Sequence, residues 1–165
     1  GQVDIRITAK AGSSLEADQL ILPVEAEVRR RLKDWVYGAD EQSLESVALL
    51  NLRDKGWSIV VVESGLGGEL TDRIAEDEVV YRGGEVLKHV PEREDLVALV
   101  KGYRSTRKVE VGLGVVIYPG SEKQDVYIVI LTPQKTEQVT RPYGGPPGNA
   151  PRWAVHHCLD LLRKL

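Results

Sequence analysis

The residues best suited to chemistry form one short segment, Glu63–Gly68, in which a carboxylate and a hydroxyl are followed by glycines. A serine such as Ser64 becomes a nucleophile when a neighbouring base removes its proton, and it then attacks a carbonyl carbon. Backbone N–H groups at Gly65, Gly67 and Gly68 would stabilise the oxyanion formed in that attack. The segment therefore predicts either a hydrolytic site or a turn that binds a ligand.

Few other positions supply the groups that this chemistry needs. Lys88 is the candidate general base, because a lysine that burial keeps neutral can accept the proton of a serine. Arg82 is the candidate cation for a phosphate, since it precedes two glycines that predict a turn near the same end of the sheet. The predicted catalytic residues are Ser64 and Lys88, and the predicted ligand-binding residues are Glu63, Gly65, Gly67, Gly68 and Arg82.

Each of these residues also has a structural interpretation. The hydroxyl of Ser64 can bond to nearby backbone groups, and the carboxylate of Glu63 can fix the turn that follows it. Gly67 and Gly68 bend the chain whether or not a ligand lies above them. The residue types alone leave the catalytic and the structural roles open.

A strand and a helix must position this segment. The β-branched run Ile59–Val62 predicts a buried strand before it. After it, Leu70 and Ile74 fall on one side of the chain, which predicts a short amphipathic helix that begins at Glu69. A helix N-terminus presents free N–H groups, so an anion would be stabilised just after the glycine turn. We expect any function of this chain to be located here.

The rest of the chain alternates predicted helices and strands. Helices are predicted at 15–32, from 39–43 to 53–56, at 92–103 and at 151–165; strands are predicted at 3–8, 78–81, 85–90, 109–118 and 126–131, with an edge strand at 136–141 and an extended boundary segment at 35–38. This alternation predicts an α/β fold. We expect a three-layer α/β/α domain with a mixed β-sheet, preceded by a small α+β linker segment.

Composition excludes several classes of protein. The 165 residues include 22 basic and 25 acidic side chains, so the net charge of −3 gives no electrostatic basis for binding nucleic acid or an anionic membrane. No apolar run reaches the ~18 residues that a membrane span requires. We therefore expect a soluble cytoplasmic protein. The chain begins at Gly1 and contains no methionine, so we also expect it to be part of a larger protein or to carry a tag remnant.

Cysteine and histidine do not suggest a metal site or a disulfide. Cys158 is the one cysteine, which excludes an internal disulfide and favours a small core residue. His156 and His157 fall in the last predicted helix, where we expect them to pack or to face solvent. Gly112 and Gly114 lack the third glycine of a dinucleotide-binding fingerprint. No metal and no cofactor are predicted.

The order of several motifs resembles the C-terminal domain of CinA proteins, which are competence/damage-inducible proteins related to nicotinamide-nucleotide amidases. The resemblance is carried by residues 31–38, 42–45 and 56–64, by the strand at 124–131 and by the helix at 159–162. Residues 1–37 resemble the C-terminal part of the family's KH-like linker domain, and residues 38–165 resemble its amidase-type domain. No part resembles the N-terminal molybdopterin-binding-like domain of full-length CinA.

The resemblance implies an activity and also marks departures from it. The family domain hydrolyses the carboxamide of nicotinamide mononucleotide to nicotinate mononucleotide and ammonia, and Ser64 matches its serine nucleophile. Gly65 and Leu66 stand where the family has cysteine and threonine. Val111 replaces a later threonine, and Pro147 replaces the arginine of the family's Gly-Gly-Asp-Arg element. Among these polar positions, the serine alone matches.

Two further family residues, a tyrosine and a lysine, have no matched pair in this chain. Alignment on Gly83–Gly84 places Lys88 at the tyrosine and Arg93 at the lysine. Alignment on Tyr81 instead places Val86 at the lysine. Neither alignment supplies both groups, so the resemblance identifies no base that would activate the serine.

We therefore predict a CinA-like domain with an eroded amidase site. It would act as a non-catalytic dimerisation or ligand-binding module of a larger protein, and the alternative is an active nicotinamide-nucleotide amidase. The expected partners are a pyridine mononucleotide, a second copy of the chain and the molybdopterin-binding-like domain of the full-length protein. Neither nucleic acid nor a membrane is expected as a partner.

Overall fold

The computed structural model describes residues 2–120 and 123–165, and the chain divides into two compact units, Gly1–Glu41 and Gln42–Leu165. The first unit contains one long helix, α1 (Ser14–Leu32). The side chain of Ser13 caps it, because its hydroxyl accepts a hydrogen bond from the backbone N–H of Glu16.

Two predictions in the first unit are wrong. The alternating residues 3–8 form no strand, because a strand needs a partner for its backbone groups and the described part of this unit contains none. The segment 35–38 is extended only in part, since Trp35 belongs to a 3₁₀ turn, Lys33–Trp35. Pro23 lies inside α1, which continues through it as one helix.

The second unit contains five strands and four α-helices among its described residues. In chain order they are α2 (Leu44–Asp54), β1 (Ile59–Ser64), α3 (Glu69–Ala75), β2 (Tyr81–Leu87), α4 (Arg93–Arg107), β3 (Val111–Tyr118), β4 (Gln124–Leu131), β5 (Thr136–Tyr143) and α5 (Ala150–Leu162). All strands belong to one sheet with the order β2-β1-β3-β4-β5. β1 pairs in parallel with β2 and β3, whereas β3, β4 and β5 pair antiparallel. The predicted mixed sheet and α/β fold are confirmed.

Helices cover both faces of this sheet. On one face α4 packs on a cluster that includes Val62, Val116 and Val129. On the other face lie α2, α3 and α5, and the guanidinium of Arg73 in α3 bonds to Glu45 of α2. β1 runs between these layers with every residue buried. None of the helices in the described residues has the length and apolar character that crossing a bilayer requires.

Two glycines of β3 have a packing role. A Cβ at Gly114 would lie 2.6 Å from a methyl of Val100 in α4 and 2.8 Å from a methyl of Val129, and a Cβ at Gly112 would crowd Val100 in the same way. The absence of side chains at these positions lets α4 approach the sheet closely. These glycines therefore serve the contact between α4 and β3.

The predicted elements around residues 78–90 are displaced in the structure. Residues 78–80 form a turn, β2 begins at Tyr81, and Gly83 and Gly84 lie inside β2 instead of forming a turn. Gly84 pairs with Val61 of β1, and the register shifts between Ile59 and Val61. Glycine is usually depleted in strands, but here the two backbones approach too closely for a side chain.

Candidate functional site

The candidate site lies where β1 and β2 end. Both strands run in the same direction, and Ser64 pairs with Leu87 at their carboxyl ends. The chain leaves β1 for α3 on one face of the sheet and leaves β2 for α4 on the other. In open α/β sheets, ligands bind in the crevice formed at such a divergence. The topology therefore makes the end of β1, where Ser64 lies, the candidate position for a ligand.

Ser64 is held by a backbone group from the neighbouring connection. Its Oγ donates a hydrogen bond of 2.7 Å to the carbonyl oxygen of His89, and only 2% of the residue is exposed. This bond ties the end of β1 to the segment between β2 and α4. A backbone carbonyl accepts a hydrogen bond but does not take a proton away, so this arrangement does not activate the hydroxyl.

Glu63 caps the helix that follows the turn. Its Oε2 accepts hydrogen bonds from the backbone N–H groups of Leu70 at 3.2 Å and Thr71 at 3.3 Å, in the first turn of α3. The residue is completely buried, and its Oε1 has no hydrogen-bond partner among the described residues. Burial raises the pKa of this carboxyl, although the N–H groups of Thr71, Leu70 and Gly68 oppose that shift.

The raised pKa of Glu63 predicts a pH-dependent stability. Below the ordinary carboxyl pKa of about 4.3 the group is protonated in the folded and the unfolded chain. As the pH rises, the unfolded chain loses the proton first, so the free energy of unfolding falls until the folded-state pKa is passed. We expect Glu63→Gln to gain stability relative to the wild type as the pH rises above about 4.3, until the raised folded-state pKa of Glu63 is passed. Urea unfolding of both proteins across this range measures the difference, and a difference that does not change with pH would contradict the shift.

The glycine turn adopts the backbone conformation that its sequence predicts. Gly65, Gly67 and Gly68 have φ angles of 82°, 71° and 95°, in the left-handed region that favours glycine. A Cβ at Gly65 would lie 3.2 Å from the Cβ of Ile117, whereas nothing lies within 4 Å of one at Gly67. The turn is therefore open above Gly67.

The two candidate cations near Ser64 differ in their surroundings. Lys88 follows β2 directly, is exposed, and makes no hydrogen bond to Ser64 in the described part of the chain. Arg93 begins α4, and its guanidinium carbon lies 5.8 Å from the ring centre of Tyr118 and 5.1 Å from that of Tyr127. The structure thus places Lys88 directly after Leu87, the strand partner of Ser64, and Arg93 over two tyrosines, and among the described residues neither cation bonds to the hydroxyl.

Arg82 lies at the other end of the sheet. It is the second residue of β2, and it donates a hydrogen bond of 3.2 Å to the backbone carbonyl of Glu78. Five residues of extended strand, roughly 16 Å, separate it from Leu87 beside the site. Its expected position at the carboxyl end of the sheet is wrong, because the predicted turn at 82–84 is part of a strand. A ligand-binding role for Arg82 stays a prediction.

The aromatic partners of Arg93 have no signal in the sequence. Tyr118 ends β3 and donates a hydrogen bond of 3.0 Å to the carbonyl of Pro91, and Tyr127 of β4 donates one of 2.8 Å to the side chain of Gln138. The two tyrosines are nine residues apart in the chain and meet because β3 and β4 pair antiparallel. Only knowledge of that register would have predicted the contact.

The cysteine and histidine side chains of α5 have packing positions. Cys158 is a buried core residue, as predicted, and burial raises the pKa of its thiol. The ring of His157 packs 4.0 Å from that of Trp153. Across residues 2–120 and 123–165, no group of histidine, cysteine and carboxylate side chains has the arrangement of a metal site. A surface groove of about 680 Å³ lies between α2 and residues 76–79, and none of its lining residues belongs to the candidate site.

Comparison with known proteins gives consistent relatives for both units. A family model described as the damage-inducible protein CinA KH domain matches residues 1–38. A CinA-like protein of Frankia casuarinae is 30% identical over 197 residues, which cover all of this chain and 45% of the relative. A CinA-like protein of a Synechococcus species is 32% identical over 99% of the chain and 46% of the relative. The chain thus spans slightly less than half the length of these relatives.

Solved structures share the fold of the larger part of the chain. A competence or damage-inducible protein from Enterobacter asburiae superposes with a TM-score of 0.63 at 16% identity, covering 75% of this chain and 98% of that one. A CinA superfamily protein from Escherichia coli gives 0.61 at 16% identity, with 81% and 98% covered. The alignment with the Frankia relative is 197 residues long although this chain has 165, so that relative has additional residues within the matched region.

Proposed function

Since this chain belongs to the CinA-like proteins, we propose that its second unit is a non-catalytic module that keeps the family fold around an eroded amidase site. The module would bind a ligand or dimerise within a larger protein instead of hydrolysing an amide. The observation that carries this proposal is the hydrogen bond from the Ser64 hydroxyl to the carbonyl of His89. The hydroxyl proton that a base would have to remove is hydrogen-bonded to this carbonyl, and a backbone carbonyl cannot take the proton away.

The charged residue aligned with the family lysine supports the same proposal. Arg93 occupies that position when the chain is aligned on its paired glycines, and a guanidinium stays protonated in proteins, so it cannot serve as a base. Its position over Tyr118 and Tyr127 gives it a packing role. The replacement of family polar residues by Leu66 and Val111, both buried, removes further groups that could orient a substrate.

The second candidate function is a nicotinamide-nucleotide amidase. It is favoured by the location of Ser64 at the carboxyl end of a central parallel strand, directly before three left-handed glycines. In that mechanism Ser64 would attack the carboxamide carbon, Lys88 would take its proton, and the N–H groups between Gly65 and Gly68 would stabilise the oxyanion. Ser64 would first have to exchange its bond to the His89 carbonyl for one to the amine of Lys88.

The expected partners follow from the same proposal. A pyridine mononucleotide is the ligand we propose for the turn above Gly67, where the structure leaves open space. A second copy of the chain and the N-terminal molybdopterin-binding-like domain of the full-length protein are the proposed protein partners. This chain matches slightly less than half of each relative. Under this proposal, the activity of a full-length protein would depend on the regions that this chain does not match.

Ammonia release from nicotinamide mononucleotide tests the two functions. We expect the wild type and Ser64→Ala to give the same background rate, because Ser64 has no base to activate it. Ser105→Ala, at an exposed position of α4, is the matched control. Calorimetric binding of nicotinamide mononucleotide without turnover would support a binding module. Ammonia release that Ser64→Ala abolishes and Ser105→Ala preserves would overturn the proposal in favour of the amidase.

A further inference from the structure

The free edge of β5 has the features of a strand that pairs with another copy of itself. β5 is eight residues long and, within the described chain, pairs only with β4. The backbone N–H of Thr132 bonds to the carbonyl of Lys135 at the hairpin, which sets the alternation along the strand. The backbone groups of Thr136, Gln138 and Thr140 therefore point away from β4. The backbone of Pro142 also points away from β4, so the N–H that proline lacks would not have bonded to β4.

The other edge of the sheet is less suited to pairing. β2 contains Gly83 and Gly84, and its register with β1 shifts near its start. The guanidinium of Arg107 lies beside Gly83, and Glu85 accepts a hydrogen bond from Tyr103. An irregular strand with side chains of α4 beside it offers a poorer template than the regular β5.

Charge determines which register β5 would adopt with a copy of itself. Glu137, Val139 and Arg141 lie on one face of the strand, the face opposite to α4. In an antiparallel pair related by a two-fold axis at Val139, Glu137 faces Arg141 of the other copy, and the reciprocal pair forms on the other side. An axis at Glu137 or at Arg141 would bring identical charges together, which is destabilising.

The neighbouring surface fits the same arrangement. Among the described residues the guanidinium of Arg141 has no hydrogen bond or ion pair of its own, whereas Glu137 accepts one from Lys135. On the same face, Tyr143 packs 5.2 Å from Trp153 of α5, and both are half-exposed. These rings and Val139 supply apolar area next to the charged pairs, which is the composition of a protein interface.

We propose that the chain forms a homodimer in which two β5 strands pair antiparallel about Val139. This inference rests on the dimerisation part of the proposed function and identifies the surface that performs it. Backbone hydrogen bonds between Gln138 and Thr140 of the two copies extend the sheet through the dimer. The reciprocal pairs of Glu137 and Arg141 fix the register.

Charge reversal tests the register. In sedimentation experiments on the full chain, Glu137→Arg and Arg141→Glu should each raise the dimer dissociation constant by about tenfold or more, because each creates two like-charged pairs. The double variant restores opposite charges and should return to within about threefold of the wild type. Lys101→Glu, an exposed charge on α4, is the control and should leave dimerisation unchanged.

The outcomes separate this inference from the broader proposal. If the single and double variants changed the dimer dissociation constant equally, the β5 interface would be wrong. The chain would then dimerise through another surface. A monomer at all concentrations would overturn the β5 interface and the dimerisation alternative of the proposed function, and it would leave the ligand-binding alternative. Recovery in the double variant would support the interface, and it also shows that the single variants did not act by unfolding the chain.

A cross-link gives an independent test. In the proposed register Val139 faces its own copy at a Cα separation of about 4.5 Å, within the range that a disulfide spans. We expect Val139→Cys to form a disulfide-linked dimer on mild oxidation. Thr140→Cys should not, because its partner in the other copy is Gln138. Cys158 is buried and does not compete. Absence of the Val139→Cys cross-link, or equal cross-linking at Thr140→Cys, would contradict the register.

Discussion

Replacing Gly84 by alanine should lower the free energy of unfolding by about 3 kcal/mol. The added methyl would meet backbone atoms, so no rotation of a side chain could relieve the clash. A Cβ at Gly84 would overlap the backbone carbonyl oxygen of Val61, its partner in β1. The two strands would have to separate at the centre of the parallel pair. Since Ser64 and His89 lie just beyond that pair, their hydrogen bond should weaken as well. Urea unfolding monitored by circular dichroism measures the loss.

Gly102→Ala is the matched control for this substitution. Gly102 lies in the interior of α4, is exposed, and has nothing within 4 Å of the place that an alanine Cβ would occupy. Alanine there should stabilise the protein by roughly 0.5–1 kcal/mol, because glycine is unfavourable inside a helix. If Gly84→Ala proved as stable as the wild type, the close approach of β2 to β1 would be wrong.

Replacing Glu63 by alanine should have the second large effect, a loss of about 2–4 kcal/mol, because it leaves buried N–H donors without acceptors and creates a cavity. The donors belong to Leu70, which is completely buried, and to Thr71. Thermal unfolding measures the effect. Hydrogen exchange should also show faster exchange at these two amides, since their protecting acceptor is gone.

Glu69→Ala is the control for Glu63→Ala within the same turn. Glu69 is part-exposed and pairs with Arg73 four residues later, so its removal should cost only about 0.5 kcal/mol. Equal losses from the two variants would contradict the capping role of Glu63. The expected difference instead assigns its effect to the two backbone hydrogen bonds.

Local sequence patterns predicted most of the second unit. The β-branched run at 59–62 gave the central strand, the alternation at 136–141 gave the edge strand, and the glycines at 65–68 gave the turn between strand and helix. These patterns succeed because burial and backbone conformation act over a few neighbouring residues. The strand predicted at 78–81 is the exception, because β2 instead spans Tyr81–Leu87 and includes two glycines. Glycine is required at position 84 because β1 lies so close, and that contact is not visible in the local sequence.

The sequence predicted where the candidate site lies in the chain, but it did not predict which groups its side chains contact. The sequence placed Glu63 and Ser64 between a strand and a helix, and it offered for each a structural role as well as a chemical one. The structural role of Glu63 is the one observed, because its oxygen caps α3. The role of Ser64 depends on His89, which is 25 residues away in the chain.

The sequence by itself determined the resemblance to the CinA family, the alternation of elements and the location of Ser64 between a strand and a helix. The tertiary structure decided what that serine bonds to, that Arg93 lies over two tyrosines, and that Arg82 is at the far end of β2. These facts depend on the register between β1 and β2 and between β3 and β4. Register is set by packing across the whole sheet, so no local run of residues encodes it.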